Sequence, residues 1–186
     1  MEFFVKYSAL PVVVDQDKVN LLKEAGAHKT SHSGGRTLLD HCVGVYGLMK
    51  LISYSKSAAV AGLVHSIYST EAFTTQSLPL DARPRVREVL GERAEFLAYA
   101  FCAMDRSEFV FSEVVPGEYS FFDRFADRVV SLAKDEYYDL VDLAFANELE
   151  QLHPRRHGHL GDGDGSAAFL AALLPKGAKE AIIFYD

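Results

Sequence analysis

The sequence contains no tryptophan and only two cysteines, Cys42 and Cys102, in 186 residues. Two thiols so far apart exclude a disulfide framework, which needs more cysteines in a shorter chain. Both lie within apolar helical patterns and read as buried, inert thiols. Basic residues are scarce as well: 19 Lys and Arg stand against 26 Asp and Glu, a net charge of −7. A nucleic-acid partner needs a basic face, so that class is excluded. The one basic cluster, Pro154-Arg155-Arg156-His157, is too short to reverse this. No run approaches the roughly 18 apolar residues of a membrane span. The opening MEFFVKYSAL has an acidic second residue and no long apolar centre, unlike a secretory signal. P-loop, GxGxxG, GxSxG and CxxC patterns are absent too. The expectation is a cytoplasmic protein that contacts neither membrane nor nucleic acid.

What is present is a globular composition, with 49% hydrophobic residues, too apolar for a disordered chain. The length suits one domain over 1–186, with a core at about 15–152 and a C-terminal helical extension at about 160–186. Asp15 or Gln16 opens a short helix that runs to Ala25 and stops at Gly26. HKTSHSGGR, residues 28–36, is a polar loop leading straight into a helix, a plausible site wall. Thr37 and Asp40 have the spacing of a capping box. Leu38, His41, Val45, Leu48 and Ile52 then share one helical face. Ser57 caps a second helix, 58–68, whose Ala59, Ala61 and Gly62 permit close packing and place His65 and Ser66 deep at its end.

Helices are expected over 81–90 and 91–104, divided by Gly91. Residues 108–123 carry β-branched and aromatic residues around Pro116-Gly117, a β-hairpin or lid. Residues 125–132 read as a short helix. Asp135 opens a long one to Leu152, with Leu140, Leu143, Ala144, Asn147 and Gln151 on related faces. A glycine- and aspartate-rich linker over 157–165 precedes a last helix, 167–174, capped by Ser166.

Three of these helices offer polar residues on buried faces: His41, the pair His65-Ser66, and Asn147. The segments LLDHCVGVYGLM, VAGLVHSIYST and DLAFANELEQL resemble the HD superfamily of helical metalloproteins over roughly residues 30–152. More narrowly, RTLLDH with AGLVHSIYSTEAF is similar to a small bacterial group that carries Ser in place of the motif's Asp. The resemblance implies an all-α, HD-like helical bundle and a pocket for a small, anionic molecule. It also implies one divalent ion (iron, zinc or manganese) and hydrolase or oxygenase chemistry. The candidate catalytic residues are then His41, His65, Ser66 and Asn147.

Both carboxylates of the family pattern are neutral here, as Ser66 and Asn147. A cation without an anionic ligand loses much of its charge stabilisation, which disfavours the usual dinuclear phosphohydrolase. Three alternatives stay open. His32, His41 and His65 form an all-histidine mononuclear site with an open position; or His41 or His65 works without metal as acid or base, with Ser66, Tyr68 and Asn147 orienting a ligand. In the third the fold has lost its metal and is a non-catalytic binding or accessory protein. Asp142, Asp127 or Glu148 would have to supply any missing carboxylate.

Blander readings stand beside these. A single histidine on an apolar face is ordinarily a hydrogen-bonded core residue, and His32 in its loop is ordinarily solvated. Arg36 pairs an anionic ligand or simply Asp40, and Tyr68 and Thr70 are ligand-contact candidates on the same wall. Cys42 adjoins His41, but neighbouring helix residues point about 100° apart. GDGDG, residues 161–165, opens like a calcium loop, yet Leu173 occupies the position of the bidentate Glu. His153, His157 and His159 read as exposed tail residues. Aromatics such as Phe121, Phe122, Tyr137 and Tyr138 permit a homodimer.

Overall fold

A computed structural model describes residues 12–32, 35–106 and 118–151. The chain is mainly α-helical, with two small antiparallel hairpins. Helix α1 (Gln16–Glu24) starts where the Asp15 side chain accepts from the Asp17 N–H, and it gives way to Gly26 at φ 77°. The polar loop that follows includes a two-rung ladder, β1 (Ser31–His32) with β2 (Arg36–Thr37), pairing His32 with Arg36. Leu38 N–H to Thr30 O and Leu39 N–H to Ala27 O tie it to the start of α2 (Leu38–Ile52). The capping box at Thr37 and Asp40 forms as its spacing predicts.

Helix α3 (Lys56–Gly62) departs from the expected 58–68 at both ends. Ser55, not Ser57, is the N-cap and accepts from the Ala58 N–H. Past Gly62 the chain tightens into turns, with Leu63, Val64 and Ile67 N–H groups bonded three residues back. The physical reason is that the side chain of His65 takes the Gly62 carbonyl, while Cys102 Sγ–H donates to the His65 carbonyl. The segment ends at Ser69, held at a positive φ of 73°. Gly62 itself permits close α2–α3 contact: a Cβ there would lie 3.3 Å from Met49 Cγ and 3.4 Å from Val45 Cγ1.

A 3₁₀ turn (Leu80–Ala82) leads into α4 (Arg83–Leu90), and α5 (Glu92–Ala103) follows a break at Gly91, φ 87°. The second hairpin, β3 (Tyr119–Asp123) with β4 (Arg128–Leu132), corrects the expectation of a helix over 125–132. Its turn is made by Asp123, whose carboxylate accepts from the Phe125 and Ala126 N–H groups, and Val129 and Val130 suit an extended strand. Pro116-Gly117, where the turn was expected, lies outside the described residues, as do the linker at 157–165 and the helix at 167–174. Helix α6 (Lys134–Gln151) closes the fold. Helix α2 packs on α3 and α6, and α3 packs on α5. The shared core runs from Leu21 and Leu38 through Met49, Leu63, Leu97 and Phe101 to Leu140 and Leu143. Among the described residues, no helix is long and apolar enough to cross a membrane.

Candidate functional site

Where α2, the end of α3 and α6 meet, four buried polar side chains converge: His41, His65, Asn147 and Glu150. His41 Nδ1 lies 2.5 Å from Glu150 Oε2, and its Nε2 lies 3.1 Å from His65 Nε2 and 3.2 Å from Asn147 Oδ1. His65 Nδ1 lies 2.8 Å from the Gly62 carbonyl.

The partners assign the protons. A carbonyl oxygen only accepts, so His65 Nδ1 carries N–H and its Nε2 holds a lone pair. Arg36 grips Glu150 with both ends of its guanidinium, at 2.5 and 2.9 Å, so the carboxylate accepts from His41 Nδ1–H as well. Asn147 Nδ2 donates to Glu148 Oε1 at 2.9 Å, which turns Oδ1 toward His41. Three lone-pair atoms therefore face one another, with no donor among them while both rings are neutral. Protonation is the obvious remedy, but the site opposes it. Burial, then the positive charge of Arg36, pushes His41 down to about 3, outweighing the Asn147 amide oxygen, which favours a protonated ring. Burial, then repulsion from His41, holds His65 well below its usual value.

Local packing keeps Glu150 in place. Gly44 sits one turn after His41 on α2, and a Cβ there would fall 2.6 Å from Glu150 Oε1 and 2.9 Å from its Cγ. Only glycine leaves room for the carboxylate to reach the His41 ring. Phe101 meets the His65 ring edge-on at 5.3 Å, and His32 stacks on His41 at 4.1 Å with planes 10° apart.

This arrangement joins some of the residues singled out from the sequence and separates others. His41, His65 and Asn147 come together. His32 reaches the cluster as a covering ring, not as a third ligand. Its lone pairs lie in a plane stacked above that of His41, so an ion in the His41 plane would sit far out of the His32 plane. Burial and the neighbouring His41 hold His32 near 4. Arg36 pairs neither with Asp40 nor with open solvent but with Glu150, 114 residues away. Tyr68 is committed elsewhere, donating to Glu95 Oε1 at 3.2 Å, and Thr70 closes a local turn with Phe73. Ser66 is buried, and among the described residues no side-chain hydrogen bond links it to the histidines. A cleft of about 470 Å³ between α1 and α4, lined by Asp15, Asp17, Glu24, Arg85 and Glu88, is separate from all of these.

Glu150 was missed in the sequence. Its signal was there: it follows Asn147 by three on α6 and continues the Leu140, Leu143, Asn147 face. Among the described residues no three His, Cys, Asp or Glu side chains are grouped so as to hold a metal ion. The third atom at the meeting point is an amide oxygen.

Comparison with known proteins adds one family. A domain of unknown function (DUF6817) matches residues 21–106, from α1 to the end of α5, which takes in His41 and His65 but neither Asn147 nor Glu150. No curated protein and no solved structure matches the chain.

Proposed function

We propose that the protein is an HD-like enzyme that holds one divalent cation (iron, zinc or manganese) on His41 Nε2, His65 Nε2 and Asn147 Oδ1. We assign it hydrolytic chemistry on a small anionic molecule. The observation that carries this reading is that His41 Nε2 lies within 3.2 Å of two further atoms that act as acceptors in the proton assignment above, His65 Nε2 and Asn147 Oδ1. Two donor atoms bound to one ion at about 2.1 Å lie about 2.9–3.4 Å apart, and the separations here are 3.1 and 3.2 Å. A cation between them turns repulsion into attraction.

The chain's own groups serve that site in definite ways. Glu150 and the Gly62 carbonyl fix the tautomer and aim of the two imidazoles, as outer carboxylates and carbonyls do for metal-bound histidines. Arg36 and Gly44 hold Glu150 in position, and Glu148 orients the Asn147 amide. His32 and Phe73, with rings 5.4 Å apart, restrict access from the β1–β2 side. The ligand set is neutral, so a bound cation would keep its full charge and favour ionised water or an anionic ligand.

A second reading rests on Asn147 standing where the family pattern has a carboxylate: the fold binds a small molecule without metal. Element analysis of the purified protein separates the two. Stoichiometric metal that disappears in a His41→Ala, His65→Ala variant supports the enzyme reading. Metal-free protein that takes up no iron, zinc or manganese on dialysis contradicts it.

A further inference from the structure

We draw no further inference here: the strongest candidate, the cleft of about 470 Å³ between α1 and α4, carries nothing, because its carboxylates are an acidic cluster partly paired with Lys18 and Arg85, and no polar side chain lining it is buried without a hydrogen-bond partner.

Discussion

Two buried carboxylates in this molecule, Glu95 and Glu150, each engage arginine, yet their surroundings end differently. Glu95 accepts from Arg83 Nε at 2.6 Å and Nη2 at 3.1 Å, from Arg87 Nε at 2.9 Å and from Tyr68 Oη at 3.2 Å. Arg83 also lies 3.5 Å over the Tyr99 ring, and Tyr99 Oη–H donates to Asp123 at 2.7 Å. Every contact there is a donor meeting an acceptor, so the network joins α4, α5 and the β3–β4 hairpin without conflict. Glu150 is as well held by Arg36, but one ring further on the chain of donors runs out and three acceptors face each other. A polar network that closes on itself stabilises a core, whereas one that ends in unmet lone pairs points to something bound.

The sharpest way to break the comparison is at its satisfied end. Glu95→Ala leaves two arginines and a tyrosine hydroxyl without their acceptor. It should lower stability by about 3–5 kcal/mol in urea unfolding. A loss below about 1 kcal/mol would make the Glu95 network as dispensable as surface pairs are. Gly44→Ala should come next. Helix propensity alone would favour alanine by about 1 kcal/mol. Its Cβ, however, displaces the Glu150 carboxylate, so a net loss of about 1–2 kcal/mol is expected from overpacking. A stabilised Gly44→Ala would show that Glu150 moves freely and does not orient His41.

The pH response follows from the histidines. In the fold His41 and His65 are held below their ordinary value of 6.5 by burial, so between about pH 6.5 and 4 the unfolded chain binds more protons. Stability must then fall as pH drops through that window, by up to about 1.4 kcal/mol per pH unit for each histidine. It is fully present above pH 6.5. Denaturation midpoints that stay level from pH 7 to 5 in chelator-treated protein would mean that a proton already bridges the rings.

The smallest stability effect should come from Asn147→Leu, at the unsatisfied end. It removes one of three opposed acceptors at similar volume, so a change within about 1 kcal/mol is expected. Cation uptake should fall at the same time. Asn147→Asp should do the reverse, binding zinc more tightly while destabilising the metal-free protein. Together the pair sharpens the contrast, since no substitution of Glu95 should affect cation uptake in the folded protein.

Much of this was legible from the sequence where local rules govern. The Thr37–Asp40 box, the apolar face carrying His41 and the break at Gly91 are set by near neighbours, and each formed as expected. The end of α3 was not legible, because the Gly62 and His65 carbonyls are taken by a side chain and by Cys102, 37 residues away. Arg36 and Glu150 lie 114 residues apart, and no spacing rule relates them. Residues 125–132 were read as a helix because no Pro or Gly marks the turn before the strand, which the Asp123 side chain makes instead.

The most direct test of the unsatisfied site is ¹⁵N NMR of the His41 and His65 side chains while ¹¹³Cd²⁺ is titrated into chelator-treated protein at neutral pH. Both Nε2 resonances should shift and couple to cadmium, and both Nδ1 atoms should keep their protons. An Nε2 that carries a proton at the outset, with neither resonance responding to the ion, would contradict the claim that these lone pairs meet to hold a cation.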